Sequence, residues 1–290
     1  MENLERVSAT LAARRLGAIL RGLRQRMKTL RVADVAKAAG VSQPTWSQVE
    51  TAVAVPTQEQ LVGAMRVLEV DEADQMASDL SALRERAKVA EWWHEYGDVA
   101  TPALLKLIGF EASAVEIRQC TSGWIPGLLQ TAEWARSAML VPGAKVRPEN
   151  VNRAVDLRMK RQDILEDPAF ELHAICGEEA LRYQPGGAAT QVGQLQHLLE
   201  VMNRNERVTL QVTPFSGPLH LGHSSPYTII KFAHPLDTSI VQLENPVSSF
   251  TDAQPEVRRW DFVFDNLGSA ALTMDKTMQL IETIIKELGS

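Results

Sequence analysis

In the segment GVSQPTWSQVE, residues 40 to 50, side chains suited to reading nucleic-acid base edges recur at helical spacing. A glutamine can grip adenine through N6 and N7 in the major groove, and a serine or threonine hydroxyl can bond a base edge or a phosphate. Ser42 stands where a helix N-cap belongs, and Pro44 falls at the second helical position, where a missing N–H costs nothing. Val41 and Trp46 have the spacing of a hydrophobic staple, so Trp46 and Val49 turn inward. That leaves Gln43, Pro44, Ser47 and Gln48 on the opposite side, with Thr45 near its edge. A polar outer face is also what any solvated helix presents, so the surroundings must decide between the two.

Those surroundings favour a DNA reader. Leu16, Ile19, Leu20, Leu23 and Met27 recur at spacings of three and four, with arginines on the other face, which predicts an amphipathic helix. A second short helix fits Val32 to Ala39 and stops at Gly40, a residue able to take the left-handed conformation of a tight exit. After Val55-Pro56-Thr57 a further helix places Leu61, Ala64, Met65 and Leu68 on one stripe. Helices joined by a short glycine turn match the helix-turn-helix arrangement. Residues 1–70 hold ten Lys/Arg against six Asp/Glu, a net of +4, so within a total of -6 the remaining residues carry -10. Phosphate is attracted to the first part and repelled by the second.

At 290 residues, 45% hydrophobic and 23% charged, the chain has the length of two domains and the composition of an ordinary globular protein. No run of 18 apolar residues is present, and the first residues lack the pattern of an export signal, so the expectation is a cytoplasmic protein with no membrane contact. Cys120 and Cys176 stand far apart, as two buried, reduced thiols would. His220 and His223 lie three apart in SGPLHLGHSSP, but no helix carries them and no third ligand is near, so no metal is assigned. Glu178 and Glu179 suit the start of a helix, where the dipole favours acids. With no GxSxG, Cys/His signature or phosphate-cradling glycine loop, the sequence assigns no catalytic residue and no cofactor and points away from an enzyme.

Asp71 to Gly97 reads as a helical connection ending in Trp92, Trp93 and Tyr96. Beyond it come a helix around Pro102 to Ile108, a strand-like stretch at Ala114 to Cys120, a helix capped by Thr131, and another over Pro148 to Glu166. Strand patterns follow at FELHAIC, VTLQVTPF, YTIIKF and TSIVQLE, with a helix over Val192 to Met202 between the first two and a last helix capped by Thr273. The expected fold is α+β: an all-α helix-turn-helix head over 1–70, the connection over 71–97, and a larger regulatory and dimerisation domain over 98–290 with a small antiparallel sheet. Suppliers for a ligand pocket in that domain are Trp124, Tyr183, Phe215, Tyr227, Arg158 and Arg161. The alternative use is a scaffold with an exposed apolar patch for another chain.

LGAILRGLR, VADVAKAAGVSQPTWSQVE and PTQEQLVGAMRVL resemble the phage-repressor (XRE, Cro/cI-type) helix-turn-helix family over residues 15–70. The resemblance implies that Gln43 to Thr51 is the recognition helix, with Gln43, Pro44, Thr45, Ser47 and Gln48 facing bases or phosphates. It also implies that Glu50 pairs with a helix-one arginine, here Arg24, as a surface pair whose value is orientation. Arg31-Val32 replaces the family's usual Ser/Thr-Gln pair, so phosphate contact passes to Arg31, Arg26 or Lys28. Segments from FEASAVEIRQCTSGWIPGLLQT to FDNLGSAALTMDKTMQLI resemble the WhiJ-like, antitoxin-like actinobacterial regulators. That implies a transcription factor, often a repressor, associated with a small BldB-like partner protein. The combined expectation is a homodimer on an inverted repeat of double-stranded DNA, controlled by a small-molecule effector or a small partner protein. The alternative is an antitoxin-like module in which DNA binding is secondary.

Overall fold

The computed structural model describes residues 11–88, 92–141, 146–217, 225–233, 237–245 and 247–289. They divide into two compact units, one of residues up to 95 together with 104–113, the other of 96–103 and the residues from 114 onward. His220 and His223 lie outside the described residues. No helix among the described residues is long and apolar enough to cross a membrane.

The first unit is all helical: α1 (Leu11–Arg26), α2 (Val32–Ala38), α3 (Gln43–Glu50), α4 (Gln58–Val67) and α5 (Gln75–Lys88). Gly40 takes φ +73° between α2 and α3, the left-handed exit its type permits. Thr57 caps α4 reciprocally, its hydroxyl accepting from the Gln60 amide at 3.2 Å while the Gln60 side chain accepts from the Thr57 amide at 2.9 Å. Leu16, Leu20, Val35, Trp46 and Leu61 form the core, and Leu80 and Leu83 of α5 join it. Residues 75–88 therefore pack as part of this unit, although their sequence reads as a connection. Residues 104–111 of α6 (Pro102–Glu111) group here too, with Arg14 stacked over Phe110 at 5.1 Å. Two glycines let helices meet at backbone distance. A Cβ on Gly17 would stand 2.5 Å from the Val49 carbonyl oxygen, and one on Gly63 would stand 2.3 Å from that of Ala38.

The second unit is α+β. Its elements run β1 (Glu116–Thr121), α7 (Ala132–Met139), α8 (Val151–Arg161), β2 (Glu171–Gly177), α9 (Glu178–Arg182), α10 (Ala188–Arg204), β3 (Val208–Thr213), β4 (Tyr227–Lys231), β5 (Ile240–Asn245), β6 (Val247–Thr251), α11 (Gln254–Ala270) and α12 (Met274–Leu288). They build a six-stranded sheet in the order β3-β2-β1-β4-β5-β6. This corrects the expected small antiparallel sheet, because β1 pairs β2 and β2 pairs β3 in parallel, and only β4 to β6 alternate. Helical crossovers cause it. Chain leaving β1 returns through α7 and α8, and chain leaving β2 returns through α9 and α10, so the next strand starts again from the same end. Helix α11 covers one sheet face, where Val257, Phe264 and Leu267 pack on Ile175, Ile229 and Val241.

Beneath α11, His173 of β2 donates from Nε2 to Gln211 Oε1 at 2.7 Å. The Gln211 amide nitrogen is committed to the carbonyls of Gly268 and Leu272, at 3.1 and 3.0 Å, which fixes its oxygen toward the imidazole. Phe264 meets the ring edge-to-face at 4.8 Å. Burial depresses the His173 pKa; the Gln211 bond and the charges of Glu116 and Asp265 oppose this without reversing it, while Arg118 adds to the depression. An unfolded chain takes up this proton near pH ~6.5, whereas the folded one resists it. The contribution of His173 to stability is thus complete above that pH and is lost as pH falls through the lower folded value. The thermal midpoint should drop between pH 7 and pH 5, with at most about 1.4 kcal/mol per pH unit from this one group, and His173→Gln should flatten part of that slope. Identical pH profiles for the two proteins would remove His173 from the account.

Candidate nucleic-acid interface

Helix α3 carries its two faces as its residue types require. The Ser42 hydroxyl accepts from the Thr45 amide at 3.3 Å and closes the helix start. Trp46 is 0% and Val49 2% exposed, both in the core, while Val41 packs against it from the side. Gln43, Pro44, Ser47 and Gln48 are exposed and Thr45 is half-buried. The outer face therefore consists of amides and hydroxyls with no structural obligation to the bundle.

What holds this face in place is a carboxylate. Glu50 Oε1 accepts from Arg24 Nε and Oε2 from Arg24 Nη2, each at 2.7 Å, and Trp46 Nε1 donates to Oε1 at 3.0 Å. Arg21 Nη2 donates to the Glu50 carbonyl at 3.0 Å. The hydrogen bond to Glu50, then its charge, raises the Arg24 pKa against the opposing effect of burial. Glu50 is 5% exposed, so the Arg24 pair is not the surface pair the sequence suggests. It is a buried fork joining α1 to α3, with the indole as a third ligand. The indole contact, spaced four residues along one helix, escaped the sequence reading. Trp and Glu at that spacing are the signal that would have found it.

The three cations expected at phosphates are available. Arg26, Lys28 and Arg31 are exposed and, among the described residues, make no hydrogen bond or ion pair through their side chains. Asp34 accepts from the Arg31 amide at 2.8 Å, so the acid three residues on supplies the cap that Arg31 itself lacks.

In the second unit the structure separates the six candidate ligand residues. Trp124, Tyr183 and Phe215 are 48%, 58% and 66% exposed and follow β1, α9 and β3, near the carboxyl ends of the three parallel strands. Tyr227 stands apart: it is 1% exposed under the Trp260 ring at 4.5 Å, so it is a core residue. Burial pushes its hydroxyl pKa strongly up, and among the described residues the hydroxyl has no hydrogen-bond partner. Arg158 donates to Gln130 Oε1 and Arg161 ends the same helix. Burial, followed by the charge of Arg161, lowers the Arg158 pKa to about 10 against the pull of Glu244. A cavity of about 580 Å³ lies along α10 at His197, Glu200 and Arg204, away from all six.

Glu178 and Glu179 have different fates. Glu178 accepts from Arg182 Nε at 2.7 Å and from the Phe215 amide at 3.0 Å. Glu179 instead folds back over Gly177, whose absent Cβ would lie 2.2 Å from both carboxylate oxygens. Cys120 and Cys176 are buried free thiols. Burial, followed by the charge of Glu179, raises both, Cys120 to about 12. They are held as unreactive thiols.

Comparison with known families matches residues 15–78 to a helix-turn-helix domain and residues 104–283 to a domain of unknown function, DUF5753. No curated protein and no solved structure matches the chain. The first unit is thus a helix-turn-helix DNA-binding domain, and the second match covers more than half of the chain.

Glu50→Ala should leave Arg24 and the Trp46 indole without their acceptor and cost about 3 kcal/mol, as breaking a buried pair does, with a matching fall in thermal midpoint. Gly17→Ala should destabilise the same junction by forcing α1 off the Val49 carbonyl. Wild-type melting of the Glu50 variant would mean that the fork does not hold α3.

Proposed function

The chain belongs to the DUF5753 family, and we propose that it is a sequence-specific transcriptional regulator of the XRE, WhiJ-like kind. It binds an inverted repeat as a homodimer through α3 and acts as a repressor. Its second unit receives a small-molecule effector or a small partner protein. The observation that carries this reading is the division of α3: Trp46, Val49 and Glu50 are consumed by the bundle, while Gln43, Ser47 and Gln48 are exposed and uncommitted. Two glutamines five residues apart, on a helix locked by a buried fork, can each address a base edge without first being ordered. Arg26, Lys28 and Arg31, exposed from the end of α1 to the start of α2, serve as charges for phosphates, and phosphate contacts set register while base contacts set sequence. Dimerisation follows from scale. One eight-residue helix touches few base pairs, whereas two heads ~34 Å apart read two half-sites on one side of the duplex.

Selection of bound sequences from random DNA with the full chain gives the operator, and fluorescence anisotropy then separates the roles. Gln43→Ala and Gln48→Ala should each weaken operator binding by about 1 to 3 kcal/mol while leaving binding to unrelated DNA unchanged. Arg31→Ala should weaken both alike and shrink the salt dependence by about one counterion. Operator affinity untouched by both glutamine changes would reject α3 as the reading helix.

A further inference from the structure

The three parallel strands β1, β2 and β3 end at one edge of the second unit, and open sheets receive ligands at such carboxyl ends. At this edge the Glu179 carboxylate lies over Gly177, in space a side chain there would fill, and Gly123 lies beside it. A Cβ on Gly177 would stand 2.2 Å from its oxygens, and one on Gly123 would stand 3.8 Å from its Cγ. Among the described residues no cation and no hydrogen-bond donor reaches this carboxylate, in contrast to Glu178 beside it, which is satisfied by Arg182 and the Phe215 amide. A half-buried carboxylate with no described partner keeps its acceptor positions open to a cationic donor.

Aromatic rings lie near the same carboxylate. The Tyr183 Cε2 atom would lie 3.0 Å from a Gly123 Cβ, and Trp124 is the next residue in the chain. Trp124 is half exposed yet fixed. Its carbonyl accepts from Thr121 Oγ1 at 2.7 Å, and its ring meets Trp134 edge-on at 5.9 Å. Trp134 is in turn pinned by the bond from its Nε1 to Gln191 Oε1 at 2.8 Å. Of the four large aromatics that are exposed among the described residues, Trp124, Tyr183, Phe215 and Phe262, the first three stand at this edge.

A carboxylate with no described partner attracts cations and repels anions, and aromatic rings near it favour an organic ammonium group over a strongly hydrated metal ion. We propose that Glu179, Trp124 and Tyr183 form a binding site for the cationic head of a small organic amine. Glu179 supplies the counter-charge and the rings cover the amine's carbon substituents. This rests on the reading that the second unit receives an effector, and it names that effector's chemistry.

Isothermal titration of the full chain with choline, n-butylamine and spermidine, and with butyrate as the anionic control, tests the site. At least one amine should bind saturably below ~10 mM, a range suited to so few ligand atoms, and butyrate should not bind. Glu179→Gln should weaken that amine about tenfold at an unchanged thermal midpoint, and Trp124→Phe, which keeps a ring against Trp134, should weaken it less than Glu179→Gln. Absence of saturable binding by all three amines, equal binding by Glu179→Gln, or binding only of a Lys-rich peptide would each overturn the proposal. Operator affinity measured with and without the bound amine separates this from the parent reading. Amine binding that leaves DNA affinity unchanged keeps the site and rejects it as the regulatory input. Loss of the site alone leaves the regulator reading standing.

Discussion

The Glu50 carboxylate accepts three hydrogen bonds, two from the Arg24 guanidinium and one from the Trp46 indole, in a position 5% exposed to solvent. Burial of a carboxylate is tolerable only when its lone pairs are met, and here the two donors come from the two helices whose relation matters. The net stabilisation of such a pair against a well-packed apolar substitute is near zero, so what it fixes is geometry. Arg21 closes the same junction at the Glu50 carbonyl, and Gly17 lets α1 approach that end of α3 without a side chain between them. The polar face of α3 is therefore aimed by charge as well as by the tryptophan. An apolar contact alone would allow the helix to roll, whereas a bidentate fork has one orientation.

Much of the first unit was legible because its signals are local. A serine cap and a glycine exit at φ +73° are each decided within four residues. What escaped is tertiary. Arg24 and Glu50 were paired correctly by resemblance but were read as a surface pair, since spacing says nothing of how much protein closes over a contact. Helix α5 shows an apolar stripe in sequence, yet a stripe does not say which core it joins, and Leu80 and Leu83 turn out to belong to the helical bundle.

In the second unit, alternation revealed five of the six strands but not their directions, which depend on how the helical crossovers return the chain. Strand β6 reads VSSFT, where adjacent serines break the alternation. Tyr227 was a reasonable ligand candidate by type and failed by place, because aromatic residues are first of all core material. Conversely, Glu179 looked like an ordinary acid in a first helical turn. Its carboxylate folds back over Gly177 two residues earlier, and Gly123, which follows β1, comes beside it through the parallel pairing of β1 with β2.

The net charge of -6 argues poorly about DNA on its own. At physiological ionic strength charges separated by more than ~8 Å are largely screened from one another, so a total summed over the chain says little about the field at any one cation. Guanidinium and ammonium groups that lack an internal partner are the ones suited to a duplex, because an arginine already forked to a carboxylate must give up that pair to neutralise a phosphate. By that criterion Arg24 is spent inside the bundle, whereas Arg26, Lys28 and Arg31 have no described partner. The same segment thus divides its basic residues between Arg24, which holds α3, and three that stay exposed.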